Sequence, residues 1–131
     1  MRTVGLLFVV AILPAVQLPV YAHHSVSAEF DIRRHVNLAG TVTKVEWMNP
    51  HTFFYIDVKD PKSGLVTSWA CELASPNGLA ALGWVPSTLR VGMFVSLTGT
   101  LARDGTHKVN ARNIVADGRR LSAWPSESTE R

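Results

Sequence analysis

The sequence predicts a mostly β domain with one short helix. Three observations support this prediction. Apolar and polar residues alternate in several short segments, Gly and Pro separate those segments, and helical spacing extends over only about two turns. The order of the segments predicts three strands, a helix and two further strands.

The first predicted strand covers residues 36–48. Its alternation holds to Val42 and then slips by one residue at Lys44-Val45, which predicts a β-bulge. Asn49-Pro50-His51 ends the strand because proline cannot donate to the ladder. Residues 52–59 are rich in β-branched and aromatic residues and predict a second strand.

A turn at residues 60–64 leads to a third strand at 65–72. A short helix is predicted next because Ser75 is a good N-cap and Pro76 suits the first helical position. Gly83 ends that helix.

The second half of the chain predicts two more strands. The fourth strand begins after Val91-Gly92, and Asp104-Gly105 is a hairpin signal before a fifth strand at 108–116. Asp117-Gly118 turns the chain again, and the tail at residues 122–131 is expected to be flexible.

A helix between strands three and four is the element order of the five-stranded OB-fold. The sequence therefore predicts an OB-like β-barrel over residues 23–121. A small β-sandwich is the alternative, although it is expected to have more strands.

Residues 1–22 have the features of a secretory signal peptide. Arg2 precedes a largely apolar run at residues 4–16, which is shorter than the roughly 20 residues of a transmembrane helix. Small or short side chains at the −3 and −1 positions in Val20-Tyr21-Ala22 fit cleavage after Ala22. We expect a periplasmic or secreted protein with no stable membrane anchor; an uncleaved anchor is the alternative.

Cleavage changes the charge and size of the protein. Of 131 residues 109 remain, with a net charge of only +2 and scattered basic residues. Neither property is typical of a nucleic-acid-binding protein. One Cys excludes an internal disulfide, and alternation in the third strand points Cys71 into the core as an inert thiol. We expect a monomer.

A family resemblance rests on motifs spread along the mature chain. These are His23-His24-Ser25, Glu29-Phe30-Asp31, Gly40-Thr41-Val42, Glu46-Trp47, Asn49-Pro50-His51, Trp69 with Glu72, Ser75-Pro76-Asn77-Gly78-Leu79, Gly83-Trp84, Ala102-Arg103-Asp104-Gly105 and Asp117-Gly118-Arg119-Arg120-Leu121. In this pattern the chain resembles a family of small exported bacterial proteins classed as a domain of unknown function, number 6152. The resemblance implies an exported OB-like domain and no established activity.

The histidines suggest a copper site. Cleavage after Ala22 makes His23 the N-terminal residue, which offers both an α-amine and an imidazole. These nitrogen ligands suit Cu(II). A third nitrogen, from His24 or His51, would complete a site of the histidine-brace kind. The alternative is a polar N-terminus on which the histidines have no function.

The candidate ligand-binding residues surround the loop between strands one and two, a usual ligand rim of the OB-fold. Asn49 and His51 belong to this loop, and the alternative is that they only shape the turn. Trp47 and Trp69 are either packing residues or an aromatic platform for a ligand. The remaining two residues are Glu72 and Arg103. Alternation places Glu72 on the outer face of its strand, where it is expected to pair with Arg103 or to contact a ligand or metal.

No catalytic motif is recognisable in the sequence. We therefore expect a binding protein rather than an enzyme, with a small molecule or another exported protein as its partner. A copper carrier is the main alternative, and a copper-dependent oxidase is a third possibility with less support because so small a domain offers little substrate surface.

Overall fold

The computed structural model describes residues 26–125. The predicted signal peptide, His23, His24 and the end of the predicted tail lie outside the described residues. In chain order the elements are α1 (Val26–Glu29), β1 (Phe30–Glu46), β2 (Phe53–Lys59), β3 (Val66–Glu72), α2 (Pro76–Ala81), β4 (Phe94–Ala102), β5 (Lys108–Ala116) and β6 (Arg119–Ser122).

The fold is mostly β, as the sequence predicts. Six strands form one sheet in the order β3-β2-β1-β4-β5-β6, and each neighbouring pair is antiparallel. In addition, β3 pairs in parallel with β5 over three residue pairs, among them Glu72 with Asn110. No helix within residues 26–125 is long and apolar enough to cross a membrane.

The start of β1 differs from the prediction by six residues. β1 begins at Phe30 rather than at residue 36, because Phe30 pairs with Ala102 across an irregular stretch of the ladder that ends at His35. Residues 31–34 are polar except for Ile32 and have no strand alternation, so only the pairing with β4 reveals this strand. His35, which we expected in a loop, is an exposed strand residue.

The sixth strand was not predicted from the sequence. Asp117 and Gly118 have φ angles of 49° and 72°. Positive φ at both central residues is typical of a two-residue hairpin turn, so the Asp-Gly signal does turn the chain. The strand that follows, Arg119–Ser122, has only four residues and one apolar side chain, too few to show a period.

The predicted bulge and helix cap are confirmed. The β1–β2 register shifts between Val42 and Lys44. Ser75 caps α2 by accepting a hydrogen bond from the Gly78 amide. Gly40 lies where β1 and β2 approach closely, since a Cβ there would collide with the Asp57 carbonyl oxygen.

One hydrophobic core lies against the inner face of the sheet. It contains Cys71, Trp84 and Leu89. The prediction of a buried Cys71 is confirmed, and burial raises the pKa of its thiol to about 12. Phe30 and Ala102 are also buried but lie outside this core cluster. A second, smaller packed region therefore exists where β1 begins.

Candidate functional site

The loop between β1 and β2 lies against the end of β3. The Thr52 amide donates to the Ala74 carbonyl at 3.1 Å, and the Leu73 amide donates to the Thr52 carbonyl at 2.8 Å. These two bonds bring His51 beside Glu72, and Nδ1 of His51 lies 2.7 Å from Oε1 of Glu72. Two of the residues predicted as ligand contacts are therefore direct neighbours.

Glu72 is buried, which the sequence prediction did not anticipate. Alternation places its side chain opposite Cys71, on the outer face of β3, yet Glu72 is only 2% exposed. The outer face is covered here because Phe53 is its register partner and Lys108 lies over the rings of both Phe53 and Phe30. Alternation along β3 does not reveal this second layer, which buries Glu72.

The sequence analysis missed Lys108. Its Nζ lies 3.6 Å from Oε2 of Glu72 and forms a closer ion pair with Glu29 of α1. The parallel pairing of β3 with β5 puts Ala70 opposite Lys108 and so brings the lysine to this place. No local pattern encodes a pairing between strands so distant in sequence.

The electrostatics of the cluster follow from burial and from these contacts. Burial raises the pKa of Glu72, and the charges of His51 and Lys108 oppose this effect without cancelling it. Burial lowers the pKa of Lys108, but its hydrogen bond to Glu29 and the nearby charges outweigh burial and leave its pKa raised. We call His51, Glu72, Lys108 and Glu29 the carboxylate cluster.

The solvent side of the carboxylate cluster is aromatic and basic. His51 is about one-third exposed, and its ring meets the Trp124 ring edge-on with 5.5 Å between centroids. The guanidinium carbon of Arg112 lies 5.4 Å from the centre of the Trp124 ring. The indole is held in place because its Nε1 donates to the Ala111 carbonyl at 2.8 Å. We call His51, Trp124 and Arg112 the rim.

Arg103 does not pair with Glu72, so that expectation is wrong. Its Nε donates to the Ser27 carbonyl at 2.9 Å, and its amide donates to the Glu29 carbonyl at the same distance. Glu72 already has His51 and Lys108 as partners. Arg103 instead fixes α1 to the turn after β4.

The remaining predicted contacts are dispersed. Trp47 and Trp69 are half-buried and pack against the core. Trp69 also contacts the His107 ring, with 4.9 Å between centroids. Asn49 is exposed in the β1–β2 loop. The structure therefore unites His51 with Glu72 but does not assemble all six predicted residues in one place.

The described residues by themselves do not form a metal-binding group. Among residues 26–125, no cluster of three or more His, Cys, Asp or Glu side chains is suited to hold a metal ion. The predicted copper ligands His23 and His24 lie outside this range. Of that predicted set, the structure describes His51 alone.

Comparison with known protein families gives a match. The model of a family described as "Family of unknown function (DUF6152)" matches residues 11–111, which is most of the chain. No curated protein matches the chain. The match confirms the resemblance found in the sequence motifs.

Proposed function

Because this chain belongs to the DUF6152 family, whose function is unknown, we propose its function from its geometry. The proposal is an exported OB-like binding domain that takes a small anionic ligand at the rim. Three separate parts of this proposal are the barrel, the export and the ligand.

The strand pairings support the OB-like barrel. The five strands β3-β2-β1-β4-β5 are neighbours in that order, and the parallel β3–β5 pairing joins the two ends of the set. α2 lies between β3 and β4 in the chain, as the helix of an OB-fold does. In this description β6 is an addition to the five-stranded unit.

The apolar run at residues 4–16 and the short side chains before His23 support export. Mass spectrometry of the protein expressed in a bacterium with its own leader tests this part. We expect a periplasmic species that begins at His23. A species that keeps residues 1–22 contradicts the export proposal.

The buried carboxylate of Glu72 is the observation on which the ligand proposal rests. Burying a carboxylate costs several kcal/mol unless charged or hydrogen-bonding partners compensate for its lost hydration. Even when it is paired, a buried ion pair adds little net stability. Here the Glu72 carboxylate orients His51 through its contact with Nδ1. The His51 ring remains about one-third exposed at the rim. Perturbed groups of this kind concentrate at functional sites.

The charges of the rim favour an anionic ligand. Arg112 makes no ion pair with any residue between 26 and 125, and Trp124 offers an aromatic surface beside it. Glu72, the carboxylate that contacts His51, already has two cationic partners. A carboxylate ligand can accept hydrogen bonds from Arg112 and, where both ring nitrogens of His51 carry hydrogen, from Nε2 of His51.

Titration with acetate, succinate and benzoate, followed by backbone amide NMR, tests the ligand proposal. We expect at least one acid to perturb residues 49–51, Glu72 and Trp124 saturably. His51→Ala should weaken binding about fivefold to tenfold. His35→Ala is the matched control because His35 is exposed on β1 and should have no effect. Equal affinities for the two variants, or no saturable change with any acid, contradict the proposal.

A second candidate function is copper binding, and two observations favour it. In metal-binding histidines, the ring nitrogen that does not bind the metal commonly lies against a carboxylate, and Nδ1 of His51 lies 2.7 Å from Oε1 of Glu72. Glu29 joins the same carboxylate cluster through Lys108. His23 precedes Glu29 by six residues in the sequence, which tethers the predicted mature N-terminus to this cluster.

Cu(II) titration of the exported, untagged protein tests this candidate. We expect His51→Ala and a version with one extra N-terminal Ala each to bind Cu(II) at least about tenfold more weakly, because each loses a nitrogen ligand. The same His35→Ala variant should bind normally. Equal affinity of the extended and unextended proteins contradicts a site built on His23.

A further inference from the structure

A groove of about 700 Å³ crosses the outer face of β1, β4, β5 and β6, and no residue of the rim or of the carboxylate cluster lines it. The strand registers align its floor in two rows. One row runs Asn37, Thr98, Asn113 and Ser122; the other runs Ala39, Ser96, Val115 and Arg120.

The row that begins at Asn37 consists entirely of amide and hydroxyl side chains. Such groups both donate and accept hydrogen bonds. Their neighbours along each strand, such as Leu97 and Ile114, are buried in the core, so these polar groups point outward. Only one bond is made within the row, a long one of 3.3 Å from Asn113 Nδ2 to Thr98 Oγ1. Most of the hydrogen-bonding capacity of this row therefore faces the groove.

Arg120 gives the groove a positive charge. None of the residues that line the groove is a carboxylate. Arg120 is exposed and makes no ion pair with any residue in the described part of the chain. A guanidinium group is well suited to bind a carboxylate through two parallel hydrogen bonds.

An exposed aromatic ring stands beside the groove. Phe94 is 66% exposed and precedes Ser96 and Thr98 on the same face of β4. Large apolar side chains are usually buried, and this one lies two residues from the floor of a polar groove. A flat apolar surface at this position can pack against the C–H face of a ligand.

We infer that the groove binds an acidic saccharide, that is, a short chain of sugars carrying carboxylates. Sugar hydroxyls match the donor-and-acceptor side chains of the floor, a ring face matches Phe94, and the carboxylate matches Arg120. Four adjacent strands make the floor about 14 Å long, enough for a short oligosaccharide.

An extended peptide fits this floor less well. β4 and β5 have strand neighbours on both sides here, so their backbone groups are already paired. A peptide crossing them finds no unpaired strand backbone with which to form hydrogen bonds. Its own backbone amides could then be hydrogen-bonded only by side chains of the floor. A saccharide has no such requirement.

The inference is independent of the function proposed for the rim. The groove and the rim share no residue, so substitution of His51 leaves the groove unchanged. If one ligand class fails to bind its site, the proposal for the other site is unaffected. The two outcomes are distinguishable because the two binding events perturb different backbone amides.

Titration with trigalacturonate and with its neutral methyl ester, followed by backbone amide NMR, tests the inference. We expect both to perturb residues 96–98, 113–115 and 120–122, with the acid binding more tightly. Arg120→Gln should weaken the acid about tenfold and leave the ester unchanged. Arg119→Gln is the matched control, since Arg119 is also exposed but does not line the groove.

Asn113→Ala removes a floor contact to the sugar hydroxyls and leaves the charge of Arg120 in place. This variant should therefore bind the acid and the ester more weakly to the same degree. The inference is overturned by any of three results: no saturable perturbation of the groove, perturbation confined to the rim, or equal losses of acid binding in Arg119→Gln and Arg120→Gln. Both arginines are exposed, so neither substitution should disturb the fold. An unchanged amide spectrum of each free variant checks this.

Discussion

Removal of Lys108 should reveal how strongly the buried Glu72 carboxylate depends on it. Lys108→Met keeps an unbranched side chain that can still pack against Phe30 and Phe53 but removes the ammonium group. Glu72→Gln keeps the shape of the carboxylate and removes its charge. The two single variants and the double variant form a cycle that isolates the interaction between the two side chains from the contact of Lys108 with Glu29.

The structure sets the size of the expected coupling. An exposed ion pair contributes about 0.2–1 kcal/mol, whereas breaking a fully buried pair costs about 3–5 kcal/mol. Lys108 and Glu72 lie between these cases, because the side chain of Glu72 is only 3% exposed and that of Lys108 is 26% exposed, at a separation of 3.6 Å. We expect a coupling of about 1–2 kcal/mol in the free energy of unfolding.

Urea unfolding followed by tryptophan fluorescence measures each variant. With an m-value of about 1.5 kcal/mol per M, a 2 kcal/mol loss lowers the midpoint by about 1.3 M. Lys44 and Glu46 supply the control cycle, because they also form an ion pair but their side chains are 60% and 28% exposed. Their coupling should be at most about 0.5 kcal/mol. The reasoning is refuted if the coupling of Lys108 with Glu72 does not exceed that of the control pair.

Three further predictions use the same unfolding assay or a thiol reagent. Phe30→Ala should lower the free energy of unfolding by about 3–5 kcal/mol because Phe30 is fully buried. Phe94 is exposed, so Phe94→Ala should change it by less than about 0.5 kcal/mol. Similar losses in the two variants would contradict the second packed region. Native Cys71 should not react with DTNB at pH 8, since burial raises its thiol pKa from 9.0 to about 12, and it should react once urea unfolds the chain; rapid native labelling would contradict its burial. Burial raises the folded-state pKa of Glu72, so its contribution to stability is largest below pH 4.5 and is lost as the pH rises through the folded-state pKa. Glu72→Gln should therefore gain stability relative to the wild type between pH 4 and pH 8, and a relative loss over that range would refute the pKa direction.

Local sequence signals predicted much of the fold. β5 has the predicted bounds, and the bulge in β1 and the Ser75 cap of α2 lie where the pattern placed them. Each of these features is encoded by neighbouring residues, through alternation, a slip in it, or a capping side chain. The start of β1 has no such signal, because the residues between Phe30 and His35 form an irregular stretch of the ladder and do not alternate.

The candidate site was only partly predictable. Its loop and the end of β3 were recognised from the sequence, so His51 and Glu72 were both candidates before their 2.7 Å contact was known. Lys108, Trp124 and Arg112 were not, because each reaches the site through pairing or packing between distant parts of the chain. The groove was missed for the same reason, since its rows exist only when four strands stand in register.

The sequence by itself determined the strand-rich character of this protein, the place of its helix and the inward side chain of Cys71. These properties depend on the period of a strand, which any short segment displays. Only the tertiary structure decided that Glu72 is buried although it faces away from the core. The Glu72 side chain follows the alternation that the sequence predicts. Phe53 and Lys108 cover that face of β3 and shield the Glu72 carboxylate from solvent. Alternation specifies a direction along one strand, and burial depends on what the rest of the chain places there.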